Sequence, residues 1–440
     1  MIIYDNIHGY IKVDPIATSI INTPVFQRLR NIHQTGILYY VFPTATHTRF
    51  EHSIGTYHLA TFMISSIAKK QPELKITDDI ILLVGIAGLC HDLGHMLFSH
   101  LFDDCFLSKL PNIKELEEKT LNTIHENRSA YLLTYIVNKY SIDLNKDQLK
   151  VITDLINPKK AEYSKWKNKY QVGKWLFQII SNPLNSIDVD KFDYIIRDTR
   201  AFGLKLGFDY SRIINDARVI DNKICYSLHC REDIYHMFFI RYRLHRQFYN
   251  HKACKAIEIL LVKILFEIEK EQKISEYILE PEKMIKLIDS YIWHYPNDNL
   301  IINDIIKNIN ERKIPKMVYQ NISLLSNDCD IDINKLINKF GNDKFEVVQF
   351  KVGYVSGKSA NPLNNITFYD LKTYKTISEN KVRSFSLLIN QKYQEYFYRI
   401  YCLDLSLIEE FKEYINEISK KENKQSEQLM LVDSSVEILY

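Results

Sequence analysis

Apolar positions recur with helical spacing through the N-terminal part of the chain. Between His47 and Lys70, the residues Phe50, Ile54 and Met63 lie near one face of a helix. The run from Asp78 to Asp92 is apolar on nearly all sides, which is typical of a helix buried in the centre of a domain. The pattern therefore predicts a mainly α protein built around a buried helix.

Capping residues mark where several of the predicted helices begin. Asp14-Pro15 and Thr23-Pro24 each place an N-cap residue before a proline at the first helical position, and Thr77 can cap the buried helix. Four further helices are predicted over Asn122–Tyr140, Asp147–Ile156, Asp188–Phe202 and Glu232–Glu271. The last of these ranges contains neither Gly nor Pro, so we expect one long helix there.

Strand-like segments appear mainly towards the C-terminus. An early exception is Ala217 to Leu228, whose apolar runs flank the hairpin turn signal Asp221-Asn222. Later, Phe345–Val355 and Ile366–Ile377 are rich in β-forming residues, and a helix is predicted from Leu405 to Ile418. We therefore expect a helical core over residues 1–275, followed over 276–440 by a helical and α+β appendage with a polar segment near 420–429.

Composition narrows the class of protein without indicating a chemistry. The 440 residues are 46% hydrophobic and carry a net charge of only +3, so nucleic-acid binding is possible but not indicated by charge. The seven cysteines are scattered without a Cys-x-x-Cys pair and are expected to be reduced thiols. The longest apolar run, Ile80 to Cys90, is too short to span a membrane. We expect a soluble intracellular protein, cytoplasmic or nuclear.

The first sign of a functional site is His91-Asp92 at the end of the buried helix. Alone, this dipeptide is weak evidence, because a buried His is more often a core residue than a ligand. His52 on the preceding helix and Asp190 on a later one change the interpretation, since metal sites in helical proteins are assembled from facing helices. Two His and two Asp suit a divalent ion such as Mn, Fe, Mg or Zn.

Cationic groups and histidines are unusually frequent around these four residues. Arginine offers bidentate phosphate recognition, lysine a point charge, and histidine a proton donor near neutral pH. The group comprises Arg49, His95, His100, His125, Lys191, Arg241 and His245. Any one of them alone would be interpreted as a solvated side chain, but together they are suited to lining a polyphosphate site.

Four spaced motifs carry a family resemblance. They are HTRFEHSIG (His47 to Gly55), GLCHDLGHMLFSHLFD (Gly88 to Asp103), IDVDKFDYIIRD (Ile187 to Asp198) and RYRLHRQFYNHK (Arg241 to Lys252). Together they resemble the HD-superfamily dNTP triphosphohydrolases, including the vertebrate enzymes that carry a sterile alpha motif, which has no counterpart in this sequence. The resemblance implies an HD-domain helical core and a homo-oligomer, either a dimer or a tetramer.

The resemblance also implies roles for individual residues. Metal binding is implied for His52, His91, Asp92 and Asp190, and phosphate binding for Arg49, Lys191 and Arg241. A His-Asp-His relay beside the α-phosphate is implied for His95, Asp103 and His125, with His100 facing the scissile oxygen. Sugar contacts are implied for Gln34, Tyr194, Asp198 and Tyr249. The expected reaction is attack of water on the α-phosphorus of a dNTP, giving deoxynucleoside and inorganic triphosphate, and either His100 or His125 could protonate the leaving oxygen.

The sequence departs from this family at positions that the resemblance assigns to control. In the vertebrate enzymes, guanine nucleotide and then dNTP bind between subunits and drive assembly of the active tetramer. Gln27, Arg30, Arg212 and Lys252 match the activator contacts. Asn22, however, replaces the aspartate that reads guanine, Asp216 replaces an aromatic residue, and no arginine occurs between Tyr319 and Arg383. We therefore expect that GTP does not activate this enzyme.

Three alternatives to a dNTPase remain open from the sequence. An HD phosphohydrolase acting on smaller nucleotides would need fewer cations than this site supplies. An idle member that senses nucleotide or single-stranded nucleic acid would have no chemical need for all four metal ligands together. A purely structural helical protein would leave the polar residues at the end of an apolar helix as an unexplained cost.

Overall fold

The computed structural model describes residues 1–158, 166, 170, 173–293, 295, 299–326, 331–354, 361–377 and 393–423. Its α-helices are α1 Pro15–Ile21, α2 Pro24–Gln27, α3 Arg49–Lys70, α4 Asp78–Cys90, α5 Ile113–Lys119, α6 His125–Lys139, α7 Lys146–Ile156, α8 Val189–Ala201, α9 Ser211–Asp216, α10 Arg231–Arg243, α11 Lys252–Gln272, α12 Pro281–Met284, α13 Ser290–Trp293, α14 Leu300–Asn310, α15 Ile333–Phe340 and α16 Ile408–Asn423. Its strands are β1 Ile2–Asp5, β2 Gly9–Lys12, β3 Arg218–Ile220, β4 Lys223–Ser227, β5 Lys316–Ser323, β6 Phe345–Gly353, β7 Phe368–Tyr369 and β8 Gln394–Cys402. The predicted mainly α fold with a small α+β part is confirmed.

The centre of the molecule is α4, which packs against α3 and α7, while α3 also packs against α8. Glycines let these helices approach closely. A Cβ atom on Gly88 of α4 would lie 2.9 Å from the Cβ of Ala60 on α3, and a Cβ on Gly55 would lie 1.9 Å from a carboxylate oxygen of Asp193 on α8. Larger residues at these two positions would separate the helices whose residues form the site described below.

The predicted helix starts agree with the observed caps. The side chains of Asp14, Thr23 and Thr77 each accept a hydrogen bond from a backbone N–H in the first turn of α1, α2 and α4. The helix capped by Thr23, α2, is only four residues long, because a tighter 3-10 turn from Arg28 to Asn31 follows it. The other predicted helices are found within a few residues of their expected ends.

The prediction of one helix from Glu232 to Glu271 was wrong. α10 ends at Arg243, a wider π-type turn runs from Leu244 to Tyr249, and α11 starts only at Lys252. Asn250 directs both its backbone N–H and its side-chain amide to the carbonyl of His245, at 3.2 and 2.8 Å. His251 then caps α11 by accepting a hydrogen bond from the N–H of Ala253. Side-chain capping thus ends one helix and starts the next without Gly or Pro.

The strands form three small sheets. β1 and β2 make an N-terminal hairpin, and β3 and β4 make the hairpin predicted around Asp221-Asn222, with β7 added in parallel to β4. β8 lies between β5 and β6 and is antiparallel to both. Within the β-rich run Ile366–Ile377, Phe368 and Tyr369 form β7, Asp370 closes a turn after them, and Tyr369 pairs with Thr376 in an isolated antiparallel bridge.

The β5–β8–β6 sheet carries a small apolar core of its own. Phe345, Ile400, Phe411 and Ile415 are buried there between the sheet and α16. The backbone of α16 continues to Asn423, so the start of the predicted polar segment is helical, and its remainder lies outside the described residues, as does Cys329. Within the described ranges, every helix is too short or too polar to cross a bilayer.

Candidate active site

Four side chains from three helices meet at one end of α4. α3 contributes His52, the C-terminal end of α4 contributes His91 and Asp92, and the first turn of α8 contributes Asp190. The Nε2 atoms of His52 and His91 are 3.3 Å apart, and Oδ1 of Asp190 lies 3.1 and 3.5 Å from them. The carboxylate of Asp92 lies 3.5 Å from His52 and 3.4 Å from His91. The four predicted metal-ligating residues are therefore brought together.

The other ring nitrogen of each histidine is held by an oxygen acceptor. Nδ1 of His91 donates to the carbonyl of Gly88 at 2.8 Å, and Nδ1 of His52 donates to Asp193 at 2.7 Å. With the proton on Nδ1, each neutral ring presents the lone pair of Nε2 to the shared point. This donor set fits a divalent cation of the kind that nitrogen and carboxylate ligands bind.

Nearby carboxylates, acting against burial, raise the pKa values of both histidines in this group. Burial alone would lower the pKa of the His52 imidazole, but hydrogen bonds to Asp190 and Asp193 outweigh it and raise the pKa to about 10. Burial would likewise raise the pKa of Asp190, but the hydrogen bonds from His52 and His91 hold it well below its usual value. The carboxylates thus favour a positive charge between them, which a metal ion or a ring proton can supply.

Arg49 lies beside this group, one helical turn before His52. It forms an ion pair with Asp92, and its Nε donates to the Ser99 hydroxyl at 2.8 Å. The hydroxyl of Ser99 in turn donates to the carbonyl of His33 at 2.9 Å. The predicted phosphate-binding arginine is therefore fixed in orientation by a carboxylate and a hydroxyl, immediately next to the metal-ligating residues.

A second cluster adjoins the first through Asp92. Nε2 of His95 lies 3.4 Å from Oδ1 of Asp92, and the His95 ring stacks on that of His125 with 4.0 Å between centroids. Nδ1 of His125 lies 3.4 Å from Oδ2 of Asp103, whose other oxygen pairs with Arg128. The contacts of the predicted relay thus run from Asp103 to His125, and His95 joins it by ring stacking.

The pKa values of the two stacked histidines are shifted in opposite directions. Burial, Arg49 and the neighbouring His125 hold the pKa of His95 well below its usual value. Burial also opposes the charged form of His125, but the Asp103 carboxylate, 3.4 Å from Nδ1 of His125, outweighs burial and raises the pKa of His125. Two rings in contact with oppositely shifted pKa values are suited to general acid–base chemistry.

The remaining cationic candidates border the same site. Lys191 follows Asp190 on α8, and its Nζ lies 3.2 Å from both oxygens of Asp188, the N-cap residue of that helix. Arg241 on α10 donates to the carbonyl of Gly353 at 2.6 Å. Burial and the charges of Arg241 and Lys191 hold the pKa of His245 well below its usual value. His100 is open to solvent, with 64% of its side chain exposed.

Two of the residues predicted to contact a sugar, Asp198 and Tyr249, are hydrogen-bonded to each other. One oxygen of Asp198 lies 2.7 Å from Nε2 of His47, and the other accepts a hydrogen bond from the Tyr249 hydroxyl. Tyr194 lies one turn earlier on α8, in the field of Arg241 and Lys191. Within the described part of the chain, Oε1 of Gln34 and the Thr35 hydroxyl are buried without a hydrogen-bond partner. Buried polar atoms of this kind are positioned to meet a polar ligand.

Several residues of the site were missed by sequence reasoning. Asp193 is hydrogen-bonded to His52, and His47 is hydrogen-bonded to Asp198. Asp193 and His47 were missed although both lie inside the quoted motifs. Asp289 accepts hydrogen bonds from the backbone of His33 and of Phe98, at 2.8 and 2.7 Å, and so fixes the segments before Gln34 and His100. Helical spacing could have indicated Asp193, three residues after Asp190, but no sequence pattern marks Asp289.

A helical core that directs a histidine, a His-Asp pair and a later aspartate to one point defines the chain as an HD-domain protein. No protein-family model matches the sequence. The chain is 35% identical to an HD domain-containing protein of Acanthamoeba polyphaga mimivirus, over 93% of this chain and 95% of the relative. It is 33% identical to the deoxynucleoside triphosphate triphosphohydrolase SAMHD1 homolog of Dictyostelium discoideum, over 96% and 81% of the two chains. For SAMHD1 of Homo sapiens the identity is 32%, over 91% and 70%.

Similarity at this level extends across both the helical core and the C-terminal appendage, because each alignment covers at least nine-tenths of the chain. The chain therefore belongs to the HD-domain deoxynucleoside triphosphate triphosphohydrolase family.

Proposed function

We propose that this protein is a metal-dependent hydrolase that converts deoxynucleoside triphosphates to deoxynucleoside and inorganic triphosphate. The observation that carries the proposal is the junction of two clusters at Asp92. One cluster holds four candidate metal-ligating groups, and the other holds two histidines in ring contact whose pKa values are shifted in opposite directions. Because only one carboxylate separates the two clusters, we expect an acid within reach of a phosphoryl group bound beside the metal.

The residues that would hold the metal are His52, His91, Asp92 and Asp190. A divalent ion bound there lowers the pKa of bound water and neutralises charge on phosphoryl oxygens. The two histidines are already fixed through Nδ1, so little reorganisation is needed for their Nε2 atoms to act as ligands. Mn, Fe, Mg and Zn all remain candidates, because nitrogen and carboxylate ligands suit each of them to a different degree.

The remaining groups divide between binding and proton transfer. Arg49, Lys191 and Arg241 supply positive charge for the phosphates, with His245 and the exposed His100 on the same side. Water adds to the α-phosphorus as the bond to the 5′ oxygen breaks. The leaving oxygen takes a proton from a general acid, and the proton that the attacking water loses replaces it on that acid. We assign the donor to His125, because Asp103 favours its protonated form.

Product analysis tests the proposal directly. The purified chain is incubated with each dNTP and with Mn²⁺, Mg²⁺, Fe²⁺ or Zn²⁺ in turn, and the products are separated by ion-exchange chromatography. Deoxynucleoside and triphosphate in equal amounts support the proposal. Monophosphate and pyrophosphate, hydrolysis of monophosphates only, or nucleotide binding without turnover would each favour one of the other HD functions.

The sugar site leads to a prediction about substrate choice. We expect faster turnover of dATP than of ATP and little difference among the four bases, because Gln34, Asp198 and Tyr249 surround the sugar and not the base. Thr35 puts a small buried hydroxyl where the family has leucine, so the expected preference is modest. Thr35→Leu should increase it. The measurement is kcat/KM for dATP and ATP in both proteins, and equal values for the wild type would show that the site does not exclude a 2′ hydroxyl.

We also propose that the protein works as a homo-oligomer that GTP does not control. Asn22 is exposed at the end of α1, and its amide cannot accept two hydrogen bonds from guanine as a carboxylate can. Asp216 at the end of α9 adds negative charge where phosphates would approach, and its carboxylate accepts a hydrogen bond from the Cys230 thiol at 3.5 Å. Each lost hydrogen bond to a charged group costs about 1.5 to 3 kcal/mol.

The expected result is that dATP hydrolysis and oligomer mass are unchanged when GTP is added. Rates are measured at fixed dATP, and mass by light scattering after gel filtration. Asn22→Asp, alone and combined with Asp216→Phe, is the matched variant. It should gain a GTP-dependent increase in rate and oligomer mass that the wild type lacks. A large GTP-dependent increase in both rate and mass of the wild type would mean that other residues compensate for Asn22 and Asp216.

A further inference from the structure

The N-terminal hairpin reaches the metal-ligating group through one buried side chain. β1 and β2 are joined by a turn in which the Asp5 carboxylate accepts hydrogen bonds from the backbone of Ile7 and His8, at 2.8 and 2.9 Å. This turn directs the His8 ring inward. Nε2 of His8 lies 2.7 Å from Oδ1 of Asp193, and none of either side chain is exposed.

Asp193 links His8 to the metal ligand His52. Because an ionised carboxylate only accepts hydrogen bonds, His8 and His52 must both donate to it. Oδ1 receives His8 and one nitrogen of Arg197, and Oδ2 receives Nδ1 of His52 and Nε of Arg197, all between 2.7 and 2.9 Å. Every lone pair of the Asp193 carboxylate is therefore used, and its orientation is fixed from four directions.

The same network also holds the hairpin in place. Arg197 extends past Asp193 to the second oxygen of Asp5 at 2.9 Å, so the residue that closes the turn is tied to α8. The Tyr210 hydroxyl lies 3.0 Å from Nδ1 of His8 and fixes the far side of the ring. On α3, Gly55 leaves the space that the Asp193 carboxylate occupies.

We propose that His8 is a positioning residue for the metal centre, which acts through Asp193 to hold His52 with Nε2 directed at the metal. This inference rests on the proposed metal-dependent function. Removing His8 leaves Oδ1 of Asp193 with one donor fewer in a fully buried position, so the carboxylate shifts and its bond to His52 is weakened. The His52 ring then loses its fixed tautomer and orientation. Metal affinity falls, although His8 itself touches neither metal nor substrate.

Metal affinity provides a test that does not depend on turnover. The full chain, stripped with chelator, is titrated with Mn²⁺ as the probe, and free Mn²⁺ is counted by electron paramagnetic resonance. His8→Ala should weaken Mn²⁺ binding by about 10- to 100-fold, the usual range for loss of a group that orients a ligand. His8→Gln, which can place an amide N–H near the position of Nε2, should recover most of the affinity.

His58→Ala is the matched control. The His58 ring lies 5.1 Å from the His8 ring and stacks on Phe62, so the substitution removes an imidazole from the same packed region without removing a donor to Asp193. It should leave Mn²⁺ affinity near that of the wild type. Melting temperatures of the metal-free proteins report separately on folding, and Tyr210→Phe gives a milder variant if His8→Ala does not fold.

The outcomes separate this inference from the proposed function. Wild-type affinity in His8→Ala, or equal losses in His8→Ala and His58→Ala, would overturn the role of His8 while leaving the metal site intact. Equal losses in His8→Ala and His8→Gln would also count against it, because the amide N–H should substitute for the ring. A wild-type chain that binds none of Mn²⁺, Fe²⁺, Mg²⁺ and Zn²⁺ would overturn both.

Discussion

Asp190→Ala is expected to lower kcat for dNTP hydrolysis by at least about 10³-fold, since a bound divalent ion contributes several kcal/mol to the transition state and each 1.36 kcal/mol is tenfold in rate. A single oxygen of Asp190, Oδ1, lies within 3.5 Å of both histidines of the group. Alanine is well tolerated in the first turn of a helix, so α8 should persist. The measurement is single-turnover hydrolysis of dATP with circular dichroism of the same sample.

Asp78→Ala is a matched control for this prediction. Asp78 also lies in the first turn of a helix, but at the end of α4 opposite to His91. At a rise of about 1.5 Å per residue, the length of α4 separates the two positions. The control should retain wild-type activity, whereas the double substitution of His91 and Asp92 should behave like Asp190→Ala. Full activity of Asp190→Ala, or of chelated protein, would contradict the metal mechanism.

The elements that carry the site could be predicted from the sequence because each has a strong local signal. The apolar residues on nearly all sides of α4 predicted a buried helix, and the caps at Asp14, Thr23 and Thr77 each act within a single helical turn. Local sequence signals did not predict a helix end that is set by capping side chains. The break between α10 and α11 depends on Asn250 and His251, two residues that are unremarkable in a helix unless their hydrogen bonds are known.

The candidate metal-ligating residues could be identified from the sequence, but the residues that hold them in position could not. Histidine and aspartate at the ends of helices point to a site by their chemistry alone. Asp289 and His8 do not indicate a site in this way, because each acts through contacts with residues at least 185 positions away in the chain. Such pairings depend on the tertiary fold, and a single sequence contains no periodicity that records them.

The orientation of the second cluster also could not be predicted. The expected relay grouped His95, Asp103 and His125. In the structure the Asp103 carboxylate contacts His125 and Arg128, while His95 meets the group only through its ring contact with His125. That difference changes the chemistry. The pKa of His125 is raised, and that of His95 is lowered. The sequence alone left the proton donor open between His100 and His125.

The assignment of His125 as the acid predicts both a loss of rate and a change in pH dependence. His125→Ala should lower kcat by about 10²- to 10⁴-fold, the usual contribution of a positioned acid. A general acid must carry its proton, so activity is lost as pH rises through its pKa. Because Asp103 raises the pKa of His125 above its ordinary value of 6.5, the wild type should stay active above that pH.

Asp103→Asn separates this explanation from a structural one. The amide oxygen can still accept a hydrogen bond from Arg128, but the charge that favours protonated His125 is gone, so the basic limb of the kcat profile should move to lower pH. A merely loosened fold would lower kcat without moving the limb. His100→Ala should reduce the rate but keep the limb, since His100 is exposed and lies 5.5 Å from the His125 ring. If His100→Ala abolishes the basic limb and His125→Ala retains it, the donor is His100, and Asp103 serves only to hold Arg128.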